Sequence, residues 1–107
     1  MASGILGTPT DLLADTMVTV YTVPVDTFTM ASISFCNRSN NNALIRLAIS
    51  NLDTPEPADY IEYDASVGAN DILERTGIIL NASTKLVVSS NIDSVNVFAY
   101  GIETSSL

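Results

Sequence analysis

The sequence contains no histidine, a single cysteine and only four cationic side chains in 107 residues. Without histidine, the chain lacks the usual general base for a serine or cysteine nucleophile and the commonest side-chain ligand of transition metals. Because Cys36 is the only cysteine, neither an intrachain disulfide nor a cysteine-based metal cluster can form. We therefore expect a protein that is not an enzyme and that needs no cofactor.

Positive charge is scarce relative to negative charge. The four cations face twelve carboxylates, which gives a net charge of -8 at pH 7. Binding to nucleic acids depends on clustered lysines and arginines that neutralise phosphates, and anionic membrane surfaces attract the same side chains. The composition therefore predicts that neither nucleic acid nor a membrane is a partner.

Long apolar runs are missing as well. No segment approaches the roughly 18 consecutive apolar residues that a membrane-spanning helix requires. The first nine residues show no basic region followed by an apolar stretch, as a secretory signal would. We expect a chain that is made in a reducing cytoplasm and kept soluble by its negative surface.

Short segments rich in β-branched and aromatic residues run through most of the chain, and turn residues recur about every ten positions. A chain of this length with 47% hydrophobic residues can cover one core. We predict an all-β fold: one antiparallel β-sandwich, of jelly-roll or immunoglobulin-like type, with about seven to eight strands. The predicted strands cover residues 16–23, 27–37, 43–50, 60–66, 72–80, 84–90 and 95–103.

Alternation along these segments also predicts which side chains fill the core, since successive residues of a strand point to opposite faces. The residues predicted to point inward are Ile33, Phe35, Ile45, Leu47, Ile49, Leu86, Val88, Val97 and Ala99. Between the second and third predicted strands, the polar run 38–42 favours a hairpin turn.

The N-terminal residues 1–13 are small, turn-prone and only sparsely apolar, so we predict an extended arm followed by a sandwich domain over residues 14–107. The large aliphatic residues of the arm are the candidate interaction residues, Ile5, Leu6, Leu12 and Leu13. One hypothesis is that they dock on a neighbouring subunit, in which case deletion of residues 1–13 leaves the sandwich folded. The alternative is that they cover an edge of their own sheet.

Two groups of acids were considered as chemical sites. Glu62 and Asp64 lie two apart on one predicted strand, so their side chains are expected on one face, as in a glycosidase pair or simply on a solvated surface. Asp53, Glu56 and Asp59 lie in a loop with two prolines, where they either approach a calcium ion or only keep the surface soluble. Neither spacing matches an established motif, and the surface interpretation is favoured in both.

A resemblance to known proteins extends over about residues 16–103. It is carried by Tyr60-Ile61-Glu62-Tyr63-Asp64, Leu73-Glu74-Arg75-Thr76-Gly77-Ile78-Ile79-Leu80-Asn81, Lys85-Leu86-Val87-Val88-Ser89-Ser90 and Val97-Phe98-Ala99-Tyr100-Gly101-Ile102-Glu103. Upstream, Tyr21-Thr22-Val23-Pro24, Ile33-Ser34-Phe35-Cys36-Asn37-Arg38 and Ile45-Arg46-Leu47-Ala48-Ile49 fit the same pattern. This order of strands and turns resembles the small β-sandwich virion proteins of tailed bacteriophages.

The resemblance implies a structural protein, a capsid decoration or cement subunit on the surface of the virion. Its implied partners are the major capsid protein and further copies of the chain, with a homotrimer as the expected oligomer. The alternative is a tail- or fibre-associated module that binds a receptor or a carbohydrate. Tyr21, Tyr60, Tyr63 and Tyr100 would then supply aromatic platforms.

Overall fold

The computed structural model describes residues 3–107, which form two four-stranded antiparallel sheets packed face to face. The strands are β1 (Ser3–Leu12), β2 (Val18–Thr22), β3 (Thr27–Asn37), β4 (Ala43–Ser50), β5 (Tyr60–Val67), β6 (Ile72–Leu80), β7 (Lys85–Ser90) and β8 (Val95–Ser105). Sheet I has the order β1-β8-β3-β6, and sheet II has the order β2-β7-β4-β5. The predicted all-β sandwich is confirmed.

The pairing of the strands follows one simple rule. β1 pairs with β8, β2 with β7, β3 with β6 and β4 with β5, all antiparallel. The strands thus form one long two-stranded ribbon, in which the chain turns back between β4 and β5. Successive strand pairs along this ribbon lie alternately in sheet I and sheet II. This is the jelly-roll arrangement rather than the immunoglobulin-like one.

The core lies between the inner faces of the two sheets and consists almost entirely of aliphatic side chains around Phe35. All the residues predicted to point inward are buried except Ile49, which packs against the core but stays partly exposed. Ile49 still lies on the inward side, because β4 keeps an unbroken register with β7 in which Ile49 is opposite the core residue Leu86. Ala48 and Ser50 are also buried, but they lie on the opposite face of β4, where Ala48 is paired with Val87.

The seven predicted strands are found within two residues of their predicted ends. The hairpin predicted over 38–42 is wrong, because β3 and β4 lie in different sheets. The connection is instead fixed by the buried side chain of Asn37. Its amide nitrogen donates hydrogen bonds of 2.8 to 3.1 Å to the carbonyls of Asn41, Val67 and Gly68, and its oxygen accepts from Ser39.

The Pro-containing loop between β4 and β5 holds a single turn of 3-10 helix over Pro57–Asp59, where the sequence had favoured an irregular loop. Proline suits the first position of a helix, since its missing N–H would be unpaired there in any case. The Asp59 carboxylate accepts a hydrogen bond of 2.9 Å from the backbone N–H of Glu56 and closes the turn.

The predicted extended N-terminal arm is not confirmed, and its first two residues lie outside the described residues. Residues Ser3–Leu12 form β1, an edge strand that pairs along β8 on both sides of a bulge between Leu6 and Thr10. Leu6 and Leu12 are 2% and 0% exposed and belong to the core, whereas Ile5 and Leu13 are 54% and 63% exposed. The position of β1 agrees with the alternative in which the aliphatic residues of this segment cover an edge of their own sheet.

Gly7 shows how closely β1 approaches the other sheet. Its φ angle of 67° lies in the left-handed region, and a Cβ at this position would collide with the backbone carbonyl of Val20 in β2. The bulge in β1 therefore brings the edges of the two sheets together. For this reason, deletion of residues 1–13 is now expected to unfold the sandwich rather than to spare it.

Two neighbouring leucines test the position of β1. Replacing Leu12 by alanine should lower the free energy of unfolding by about 2 to 5 kcal/mol, because the side chain is fully buried. The same replacement at Leu13, which is mostly exposed, should change it by less than about 0.5 kcal/mol. If urea denaturation showed equal losses of unfolding free energy at both positions, β1 would not be part of the core.

Candidate interaction surface

The outer face of sheet I carries a group of exposed apolar side chains that we call the apolar face. It consists of Ile5, Phe28, Met30, Ile79 and Ile102, whose exposed fractions range from 40% to 68%. Scattered exposed aliphatic residues are normal on a protein surface, but a contiguous group marks a site of interaction. Whether these five are contiguous depends on the register of the strands.

The register places them side by side. Met30 in β3 lies directly opposite Ile102 in β8 and directly opposite Ile79 in β6. Directly paired residues of adjacent strands have Cβ atoms about 4.5 to 5.5 Å apart. The three side chains therefore form a row across the sheet, which Phe28 extends along β3 and Ile5 extends onto β1.

Polar side chains border the apolar face beside this row. The hydroxyl of Tyr100 donates a hydrogen bond of 2.7 Å to the carboxylate of Glu74, and this bond raises the pKa of the Tyr100 phenol. The Tyr100 ring also packs beside Phe98, with ring centroids 5.7 Å apart. Both aromatic rings are partly buried and continue the apolar face along β8.

The outer face of sheet II is organised differently, because the loop between β4 and β5 is fastened over it. The Asp53 carboxylate accepts a hydrogen bond of 2.7 Å from Thr19 of β2 and lies 3.7 Å from the ammonium group of Lys85 in β7. Between these anchors, the side chain of Val87 is almost fully buried, although Leu86 and Val88 on either side of it point into the core. The loop thus covers Val87, while Tyr63 of β5 and Leu52 of the loop itself stay exposed.

A small groove of about 180 Å³ lies on the same side of the molecule, lined mainly by polar side chains that include Asp15, Arg46, Asp64 and Asn91. The Arg46 guanidinium donates bonds of 2.7 and 3.3 Å to Asp64 and lies 4.0 Å from the ring centre of Tyr63. The hydrogen bond from Arg46 lowers the pKa of the Asp64 carboxyl. The arginine at this groove is thus already paired.

The acids considered as chemical sites are each held by separate partners. Glu62 forms an ion pair of 3.2 Å with Arg75 of sheet I, whereas Asp64 pairs with Arg46 of its own sheet. The two carboxylates that share a strand therefore engage different cations. In the loop, Asp53 binds Thr19 and Asp59 caps the turn, so these oxygens do not converge on one point.

The alternation in β3 contained a signal for the apolar face that the sequence reasoning did not use. In the first half of β3, the outward residues Phe28 and Met30 are more apolar than the inward residues Thr27 and Thr29. A threonine in the core is unusual when the next residue of the same strand is a phenylalanine that points outward and is exposed. Of the predicted interaction residues, Ile5 alone lies on the apolar face, and Leu13 lies in the turn after β1.

The buried threonine has a specific role, because it belongs to a polar link between the sheets. The hydroxyl of Tyr21 in β2 lies 2.8 Å from the hydroxyl of Thr29 in β3 and donates a hydrogen bond of 2.6 Å to Glu103 in β8. Burial, together with the bond to Glu103, raises the pKa of Tyr21 to about 12. Tyr21 is therefore not an exposed aromatic platform.

Comparisons with known proteins do not connect this surface to a characterised one. No protein-family model matches the chain, and no curated protein matches it. Within residues 3–107, no group of three or more cysteine, aspartate and glutamate side chains is placed to hold a metal ion. In that same range, no helix is long and apolar enough to cross a membrane.

The Tyr21 link predicts how stability responds to alkaline pH. Below pH 10 the phenol is protonated in both the folded and the unfolded chain, and between pH 10 and about 12 only the folded chain retains the proton. The free energy of unfolding should therefore fall as the pH rises through this window. In Tyr21→Phe, urea unfolding at pH 8 to 12 should show a shallower fall, with Tyr100 contributing the remainder.

Tyr63→Phe is the matched control, since it removes an exposed phenol that takes no part in the link. Its pH dependence should follow that of the unmodified chain. A slope in Tyr21→Phe equal to that of the control would show that the link does not hold the proton in the folded state.

Proposed function

We propose that this chain is a structural subunit of a virion, a capsid decoration protein that attaches to the outer surface of a phage head by non-covalent contacts. Its partners are the major capsid protein and further copies of itself. The observation that carries the proposal is a two-sheet sandwich that exposes a group of apolar side chains on the outer face of sheet I. Such a face is suited to burial against protein.

The fold is compatible with this function without deciding it. Jelly rolls are common in viral capsid proteins and also in lectins, and one fold serves many functions. What favours a structural role is the resemblance to small virion proteins of tailed phages, carried by the strand and turn pattern of residues 16–103. A shell presents many equivalent sites, so that weak contacts of linked subunits add up to firm attachment.

The charges of the chain favour a basic partner surface. All four cations are engaged in ion pairs with carboxylates, namely Arg38 with Asp11, Arg46 with Asp64, Arg75 with Glu62 and Lys85 with Asp53. The chain, with its net charge of -8, therefore has no patch of unpaired lysine or arginine side chains. Such a surface is attracted to basic patches on a shell, and the attraction guides the subunit to its site.

The manner of attachment differs from the one expected from the sequence. With residues 3–12 in an edge strand, an N-terminal arm is no longer the proposed contact, and the sheet faces take its place. The homotrimer stays a prediction of the resemblance, because decoration subunits of that kind sit at local threefold positions of the shell.

The second candidate is a carbohydrate-binding module of a tail or fibre, and the groove beside Arg46 favours it. The groove of about 180 Å³ offers carboxylate, amide and hydroxyl groups. Tyr60 and Tyr63 lie nearby as an edge-to-face pair with centroids 5.1 Å apart. Arg46 already covers the Tyr63 ring, which leaves less of it for stacking against a sugar.

Attachment to shells is the direct test. Purified chain added to phage heads that lack it should sediment with them and saturate at many copies per head. If acidic side chains guide attachment, raising the salt from 50 to 500 mM should weaken it roughly tenfold. An unrelated protein of similar size and charge is the control for non-specific adsorption.

The alternative gives the opposite result. Binding to tails or to an immobilised glycan array without binding to heads would contradict the decoration function. In that case, Asn91→Ala, which alters the groove, should abolish glycan binding.

A further inference from the structure

We infer that the apolar face is the surface on which a second copy of this chain packs. The inference deepens the proposed function, because it names the contact through which subunits assemble, and it rests on that proposal only for the expectation that the chain is an oligomer. The oligomer that it names is a two-fold pair, which takes the place of the homotrimer expected from the resemblance. Its observations are the size of the face, its lack of charge and the structure of the sheet edges.

The size of the apolar face matches a subunit interface. Its five side chains expose on the order of 500 Å² of largely apolar surface, which is near the upper end of the patches that monomers leave in water. Specific interfaces bury about 800 Å² on each partner, with an apolar centre and a polar rim. The row of Ile102, Met30 and Ile79 would form that centre, and Tyr100 with Glu74 would lie in the rim.

Charge selects this face over the others. Two copies with a net charge of -8 repel each other, and burying an unpaired carboxylate at an interface is costly. None of the five side chains of the apolar face is charged. On sheet I, the Glu74 carboxylate is bonded to Tyr100 and Asp11 is paired with Arg38, whereas the outer face of sheet II carries Asp53, Arg46 and Asp64. Two acidic copies can therefore approach most closely through sheet I.

The two edges of sheet I are poorly suited to strand addition. β1 is bulged between Leu6 and Thr10, contains Pro9 and lies against β2. β6 is interrupted at Gly77, where the register with β3 shifts. Bulges and prolines prevent an edge from pairing with another chain. Assembly by packing of faces is then favoured, and the simplest form brings the same patch of both copies together about a two-fold axis.

Face-to-face packing of two sheets brings them about 10 Å apart, with the side chains of both interdigitating. Aliphatic side chains on one flat sheet are suited to this geometry. In the resulting pair, four sheets would be stacked, and the acidic outer faces of sheet II would lie at the two ends, accessible to a shell.

The test uses the purified full chain without any shell. Native mass spectrometry and sedimentation over a range of concentrations should show an oligomer. Met30→Asp and Ile79→Asp, each placing a carboxylate on the apolar face, should raise its dissociation constant by roughly 30-fold or more. Leu52→Asp is the matched control, because Leu52 is comparably exposed but lies in the loop over sheet II, and its oligomer should persist.

Cross-linking gives a second measurement that does not depend on a destabilising charge. Met30→Cys in a Cys36→Ser background should form a covalent dimer with a short bis-maleimide, whereas Leu52→Cys in the same background should not. Circular dichroism of each variant checks that the sandwich is intact.

The outcomes separate this inference from the proposed function. A chain that stays monomeric at high concentration, or an oligomer unaffected by Met30→Asp and Ile79→Asp, overturns the inference even if the chain still binds to heads. An oligomer that dissociates in both variants supports the inference even if no head is bound, and only the decoration function then fails.

Discussion

Alternation of side chains along β3 and β8 is the constraint on which the structure depends. These two strands lie at the centre of sheet I and are paired over the full length of β3, from Thr27 to Asn37. Their inward residues, among them Ile33, Phe35 and Val97, fill the core, and their outward residues build the apolar face. A shift of one residue would exchange the two sets. The same register therefore stabilises the fold and positions the candidate interface.

Much of the fold could be predicted because this alternation is local. Along β3 and β4, the period of two together with β-branched residues indicates strands and their inward faces from the sequence alone. β1 could not be found in this way, since its glycines and Pro9 are typical of a turn-prone terminus. It becomes a strand only by pairing with β8, about ninety positions later in the chain. Leu6 and Leu12 reach the core together only because a bulge lies between them.

Topology and the candidate surface were harder to predict for related reasons. Many of the paired strands are distant in sequence. The polar segment 38–42 has the composition of a hairpin turn, yet it connects strands of different sheets, and the Asn37 side chain holds this connection in place. The apolar face needs the register of three strands before its residues become neighbours. Composition identified the excess of acids, but only the structure shows that each cation is already paired.

The apolar row of sheet I and the loop that carries Asp53 over sheet II lie on different faces of this molecule, and this arrangement has a physical reason. Negative charge keeps a chain soluble and repels its copies, whereas association requires a region where charge need not be desolvated. Sheet II carries the acidic loop and two of the four ion pairs, and sheet I presents a row of aliphatic side chains. Because the core joins both sheets rigidly, with Tyr21 bonded across it to Glu103, the two surfaces are fixed on opposite sides of one body. A subunit built in this way can bury one face against protein while the other remains available to a partner of opposite charge.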